Sequence, residues 1–247
     1  MLDRTDGSPL THGLALAWGF PPPARRGPKA TYTTADVVAA AMALADQEGA
    51  AGVSLPKIAR RLDLTPNALY RYVSSKEELV LLLVDAGAGP PPAELPAHWR
   101  AGAAAWVRAL IARYQARPWL VDLPVRGAPV TPNLLGWLES LLTVLAGTGL
   151  APGDQLSCAT LLDSYARSTA ALANDLATST ATPVQSAEVA GFLYPLLAER
   201  GYPRLTEMLA SGAYTDSPTG PDIEFGLNRI LDGIEQLIAE QSPEPGA

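Results

Sequence analysis

Apolar residues recur along this chain at helical spacing and seldom alternate, so the pattern predicts helices throughout. The first strong run is Val37, Val38, Ala41, Leu44 and Ala45, preceded by Thr33 with Asp36 in the spacing of a capping box and closed by Gly49. Ile58, Ala59 and Leu62 form a short stripe, with Ser54 placed to cap it by its hydroxyl and Pro56 tolerated in its first turn. Thr65-Pro66 pairs a capping residue with proline at a helix start, which predicts a second short helix over Asn67 to Val73 with Leu69 and Val73 facing inward. Ser75 and Glu78 have capping-box spacing and open a helix that runs to about Ala86.

Farther on, Ala97 to Arg117 carries Trp99, Ala103, Trp106, Leu110 and Tyr114 along one face and stops at Pro118. Trp119 to Val130 reads as irregular with a possible short helix. Helices follow over Asn133 to Ala146, Pro152 to Ala177, Ser186 to Arg200 (with a kink at Pro195) and Pro203 to Ala210. Asp222 to Glu240 has the most regular stripe of the later chain: Ile223, Leu227, Ile230, Ile234, Leu237 and Ile238. Near the start, Leu14 to Phe20 predicts a brief helix docking on the body of the chain.

Two short helices joined at Asp63, the second carrying Asn67, Tyr70, Arg71 and Tyr72 toward solvent, make a helix-turn-helix that fits a major groove. The stretch LPKIARRLDLTPNALYRYVSSKEEL resembles the DNA-binding signature of the TetR family of transcriptional regulators, most specifically over Leu69 to Leu79. The resemblance is strong over Arg25 to Asp85; beyond it only the helical pattern matches. One position departs from the family pattern, which usually has glycine in the turn where this chain has Asp63. The resemblance implies an all-α protein: a three-helix helix-turn-helix DNA-binding domain plus a larger helical effector-binding and dimerisation domain. It also implies an intersubunit bundle of the last two long helices and a small-molecule effector in the larger domain.

Composition sets the boundaries. A flexible extension with a basic arm is expected over 1–30, the DNA-binding domain over 31–89, and the effector-binding and dimerisation domain over 90–247, where GAGPPPAELP breaks the pattern. The chain carries a net charge of −7, but Arg25 to Lys76 holds eight Lys/Arg against four acids, while 77–247 holds nine Arg against nineteen acids. A basic reader on an acidic remainder is the pattern expected of a DNA-binding protein. Arg25, Arg26 and Lys29, stiffened by Gly27 and Pro28, either enter a minor groove as an arm or form a solvated linker.

Side-chain reach assigns the expected DNA contacts. Arg71 suits guanine and Asn67 adenine; Tyr70, Tyr72 and Lys76 suit phosphates, with amphipathic packing the alternative for the two tyrosines, and Lys57 and Thr65 are secondary phosphate groups. Ser54 and Pro66 belong to the same surface as helix starts. In the larger domain, Trp99, Trp106, Leu110, Tyr114, Trp119, Trp137, Asp163, Tyr165, Arg167 and Asn174 are candidates for an effector pocket, with core packing the alternative for each. Leu162 and Ala166, with the six-residue stripe of the final helix, are candidates for the dimer interface; covering its own core is the stripe's alternative.

Cys158 is the single cysteine, so no intrachain disulfide can form, and the two histidines are too few for a metal site. No metal or cofactor is expected, and a metal-chelated tetracycline effector is not supported. Catalytic signatures are absent from the sequence: no Gly-x-Ser-x-Gly elbow, no glycine-rich phosphate loop, no His-Glu-x-x-His. No stretch has the length and apolarity of a membrane span or the form of a signal peptide, so a cytoplasmic protein is expected. The partners expected are a palindromic double-stranded operator, a small-molecule effector and a second copy of the chain. A helical small-molecule-binding or partner-binding protein without DNA, or an enzyme, would leave the Arg71/Lys76 cluster unexplained.

Overall fold

The computed structural model describes residues 9–20, 31–125, 127–178, 187–213 and 222–241. Among the described residues all regular structure is helical. The chain forms two compact units, one of Met1–Ala171 with Leu227–Ala247 and one of Leu172–Gly226.

In the first unit, helices α1 (Pro9–Ala17), α2 (Thr34–Gly52), α3 (Leu55–Arg61), α4 (Pro66–Leu69) and α5 (Lys76–Ala88) precede α6 (Trp99–Ala116), α7 (Trp119–Asp122) and α8 (Pro132–Ala146). Helix α9 (Pro152–Thr178) begins in this unit and α12 (Ile223–Gln241) ends in it. The second unit holds α10 (Ala187–Glu199) and α11 (Pro203–Ala210), which pack on each other. Pro195 lies inside α10, where the sequence predicts a kink.

Most boundaries follow from the caps. The Thr33 hydroxyl accepts the Asp36 N–H at 3.2 Å, and the Asp36 carboxylate accepts the Thr33 hydroxyl and the Thr33 N–H, each at 2.7 Å, the hydroxyl first and the N–H second holding the Asp36 carboxyl below its ordinary value. Gly49, at φ 72°, takes α2 out of regular helix where glycine alone is unstrained. Two expected caps differ. Ser54 precedes α3 but its hydroxyl makes no capping bond, although Pro56 occupies the first turn as expected. The Ser75 hydroxyl accepts the Glu78 N–H at 3.1 Å, yet the Glu78 carboxylate turns to Ser74, accepting its N–H at 3.1 Å and its hydroxyl at 2.6 Å.

One apolar core fastens α2 to α5. Val37, Ala41, Leu44, Ile58, Ala59, Leu69, Val73, Leu79, Leu82 and Leu83 are all buried in it. Each large side chain there contributes about 1.5–3 kcal/mol of transfer free energy. Trp119 and Leu120 of α7 enter the same core. Gly87 makes room for them, because a Cβ there would lie 2.5 Å from Trp119 Cη2 and 2.9 Å from Leu120 Cδ2.

The α6–α8 pair has an aromatic core of its own. Trp106 and Trp137 meet edge to face with centroids 5.5 Å apart. Their indole N–H groups are satisfied by backbone: Trp106 donates to the Trp137 carbonyl and Trp137 to the Gly89 carbonyl, each at 2.9 Å.

The expected N-terminal helix is present but lies earlier, at Pro9–Ala17, and it docks on α5. Leu16 and Ala17 reach the α2–α5 core. The expected helix from Asn67 to Val73 is shorter than its pattern suggests. It ends at Leu69, and Arg71 and Tyr72 donate to carbonyls only three residues back.

Asp85, buried on α5, accepts the N–H of Asn133 at 2.9 Å, its side-chain amide at 3.0 Å and the N–H of Leu134 at 3.4 Å. It therefore caps the N-terminus of α8 from another helix. Asp85→Ala leaves the half-buried N–H groups of Asn133 and Leu134 without that carboxylate, while the Asn133 amide keeps the residue-85 carbonyl, and we expect a loss of about 1–3 kcal/mol in denaturant unfolding. Glu139→Ala, at an exposed position on α8, should change stability by less than about 0.5 kcal/mol.

Candidate nucleic-acid interface

The turn between α3 and α4 is set by backbone hydrogen bonds. Asp63, at φ 52°, is the sole non-glycine residue with positive φ among the described residues. Its N–H donates to the Arg60 carbonyl at 3.2 Å, and the Leu64 N–H donates to the Ala59 carbonyl at 2.8 Å. This is the Schellman closure of a helix, with aspartate where glycine is usual. The short polar side chain tolerates the left-handed conformation at some cost.

Beyond the turn, the Thr65 hydroxyl accepts the Ala68 N–H at 3.2 Å and Pro66 occupies the first turn of α4. Leu69 and Val73 are fully buried and hold the segment against α2 and α5. The opposite side faces water. Thr65, Pro66, Asn67, Tyr70, Arg71 and Lys76 are exposed, Tyr70 by 53%. Among the described residues none bonds to the side chain of Asn67, Arg71 or Lys76, so their donors remain available to a partner.

Three expected contacts are placed differently. Tyr72 is half-buried and packs against the α2–α5 core, because the chain leaves helical geometry after Leu69 and its ring swings inward. Ser54 is half-buried at the start of α3. Lys57 is exposed but its ammonium lies 2.5 Å from Glu48 Oε2, so a phosphate would have to displace that carboxylate. Arg25, Arg26 and Lys29 lie outside the described residues.

The family model described as "Bacterial regulatory proteins, tetR family" matches residues 37–83, which contain this surface. A second, "Tetracyclin repressor-like, C-terminal domain", matches residues 91–238. The chain belongs to the TetR family. It is 32% identical over 254 residues to the HTH-type transcriptional repressor DrrR1 of Streptomyces coeruleorubidus, covering 98% of this chain and 92% of that one. A Saccharopolyspora erythraea HTH-type transcriptional regulator is 29% identical over 157 residues, covering 63% of this chain and 66% of that protein. The apo structure of the TetR-family protein ActR from Streptomyces coelicolor superposes with a TM-score of 0.69 at 24% identity, covering 86% of this chain and all of that one. As a TetR-family member the chain is a DNA-binding transcriptional regulator.

The expected effector-site residues separate into two groups. Trp106, Leu110, Trp119 and Trp137 are buried, and Trp119 donates to Asp46 Oδ1 at 2.6 Å, so in this conformation they are packing residues. Trp99 is half-buried and stacks on His98. Tyr114, Tyr165 and Arg167 are half-buried. The Arg167 guanidinium sits 6.0 Å from the Tyr114 ring centroid and donates at 2.6 Å to the carbonyls of both Val121 and Leu123. Burial pushes the Tyr114 hydroxyl above its ordinary value, helped by the Asp163 carboxylate and opposed by Arg167. The Asp163 carboxyl is also pushed up by lost solvation, with Arg167 opposing, although the residue as a whole is exposed. Asn174 is half-buried in the second unit.

Four of the eight expected dimer residues lie in the chain's own core. Leu162, Ala166 and Leu227 are fully buried and Ile234 is 3% exposed within a single chain, so a partner cannot reach them. A helical stripe records that one side is covered, and of this stripe Leu227 and Ile234 are covered within the single chain. Ile223, Ile230, Leu237 and Ile238 are half-buried. On α9 the apolar side chains that water does reach are Leu156, Leu161, Leu172 and Leu176.

Sequence reading missed His12, Glu78, Asp85 and Asp46. Their partners are distant in the chain, and the capping-box spacing was the only local signal for Glu78. The Asp63 turn can be tested directly. Asp63→Val should destabilise by about 1–2 kcal/mol, since a branched residue resists the left-handed conformation. Asp63→Gly should differ from wild type by less than about 1 kcal/mol, because relieved strain is offset by a freer unfolded chain. Equal unfolding midpoints for the two variants would mean that the turn does not need that backbone.

Proposed function

We propose that this TetR-family regulator is a repressor that binds a palindromic operator as a homodimer and leaves it when a small molecule binds the helical region after α5. The observation that carries the reading is the surface from α4 to the start of α5, where Asn67, Tyr70, Arg71 and Lys76 stand exposed and, among the described residues, no side-chain partner takes their donors. The similarity to a relative named a transcriptional repressor, which extends over nearly the whole chain, supports repression.

In this reading two copies place their α4 segments in major grooves about 34–36 Å apart. Arg71 reads guanine, Asn67 reads adenine, and Lys76, Tyr70 and Thr65 hold phosphates. Tyr72 positions the segment by packing rather than touching DNA. Leu156 and Leu161 of α9, with Ile230, Leu237 and Ile238 of α12, supply apolar surface for the second copy. Tyr114, Asp163, Tyr165 and Arg167 are the polar groups that orient an effector. The effector acts by favouring the spacing that does not fit DNA, and its differential affinity for the two states limits the shift. Such a protein works in the cytoplasm, where its operator is, and performs no catalysis.

Binding of the full chain to palindromes flanking its own gene, followed by fluorescence anisotropy across a salt series, tests the assignment. Arg71→Ala should lose about 1–3 kcal/mol and relax preference at one base position. Lys76→Ala should weaken all sequences alike and reduce the salt slope by about 1. If neither variant changes binding, α4 is not the reading surface; a monomeric mass at micromolar concentration would exclude the dimer.

A further inference from the structure

Helix α1 lies before the regions matched by either family model, yet it touches the recognition segment's exit. Gly13 is buried against α5, where a Cβ would lie 2.9 Å from Glu78 Cγ and 3.4 Å from Leu81 Cδ2, so any side chain at 13 would wedge the two helices apart. Beside it, His12 Nδ1 lies 2.9 Å from Glu78 Oε2. The Glu78 side chain is wholly buried, while that of His12 is 40% exposed.

The other bonds of this carboxylate go to Ser74, whose N–H reaches Oε1 at 3.1 Å and whose hydroxyl reaches Oε2 at 2.6 Å. Ser74 follows Val73 directly, at the point where the recognition segment ends; Ser75 and Lys76 then open α5. A buried carboxylate is tolerated only where its lone pairs are matched, so its placement depends on all of its donors together. The far end of α1 is held as well, since Trp18 Nε1 donates to the Val130 carbonyl at 3.0 Å.

We propose that His12 is a positioning residue for DNA reading: it fixes the Glu78 carboxylate, and through it the Ser74 peptide at which the recognition segment leaves α4 and enters α5. His12 touches no DNA in this account. It sets the angle at which Arg71 and Lys76 are presented, so its loss affects the fit to a specific site more than attraction to phosphates, which depends on charge alone. The inference rests on the reading of α4 as the DNA-contacting surface.

The test uses the full chain with two duplexes of equal length, one the operator and one scrambled, at fixed salt. His12→Ala should weaken operator binding about tenfold and scrambled binding by less than about twofold. His12→Asn places an amide nitrogen near the Nδ1 position and should recover most of the loss. His12→Gln extends past that position and should behave like His12→Ala. Gly13→Val, which pushes α1 off Glu78, should reproduce the alanine result.

Unchanged operator affinity in His12→Ala, equal losses on both duplexes, or identical behaviour of the Asn and Gln variants would overturn the proposal. The Asn and Gln variants also separate the lost bond from a general loss of folding, which would affect both alike. A wild-type chain with no preference for the operator would bring down the DNA reading itself and this inference with it; a wild-type preference that His12 variants do not move would bring down this inference alone.

Discussion

Two buried carboxylates on one helix locate most of what surrounds it. Glu78 and Asp85 lie two turns apart on α5, hence on nearly the same side, and each is shut away from water. An unmatched carboxylate there would cost several kcal/mol, so each must sit where its donors are. Glu78 is matched at the recognition segment's exit and Asp85 at the N-terminus of α8, whose dipole also favours a negative charge. Between them Leu79, Leu82 and Leu83 are held by packing. A helix located by directional bonds at both ends cannot slide without breaking one of them, and that makes α5 a discrete rather than an elastic connection.

Helix α7 is the second connection. Trp119 and Leu120 complete the α2–α5 core although they follow the proline-rich stretch in the chain. Asp46 of α2 receives the Trp119 N–H, and Arg117 donates to the Gly87 carbonyl at 3.2 Å while its Nε lies 3.7 Å from Asp46. On the other side, Arg167 of α9 satisfies the carbonyls of Val121 and Leu123, at and just past the end of α7, which have no helical partner. The Asp46 carboxylate of α2 and the Arg167 guanidinium of α9 thus converge on the short α7 segment, and Arg117, just before it, is tied to α5 and α2. A group that drew Arg167 away would leave two carbonyls to find other donors, and α7 would have to adjust with its tryptophan already committed to the reader.

Local signals made the elements legible. Thr33 with Asp36, Thr65 with Pro66, and Pro203 each mark a helix start, and the apolar spacing of α6, α8, α9 and α12 placed their limits within a residue or two. The end of α4 was not legible, because no breaker follows Leu69; the Arg71 and Tyr72 N–H groups there donate three residues back, and Ser74 beyond them meets Glu78. The α12 stripe showed that one side is buried but could not say by what. The tryptophans were ambiguous for a related reason. Indole rings line pockets and fill cores equally well, and only the bonds to the Trp137 and Gly89 carbonyls identify Trp106 and Trp137 as packing residues. The DNA-facing side chains were the easiest to read, since they belong to one short segment with one buried side.

Counting cations overstates the reader's reach toward phosphates. Lys57 is engaged with Glu48, and Arg61 donates to Gln47 Oε1 at 3.2 Å, so both are directed along the back of α2. Arg71 and Lys76 are not so engaged among the described residues. An exposed ion pair contributes only about 0–1 kcal/mol, so phosphate could take Lys57 from Glu48 at little cost, but the freed carboxylate would then stand near the DNA. The number of phosphates neutralised, which fixes the salt dependence, is therefore set by which cations the fold leaves unpaired and not by how many the sequence supplies.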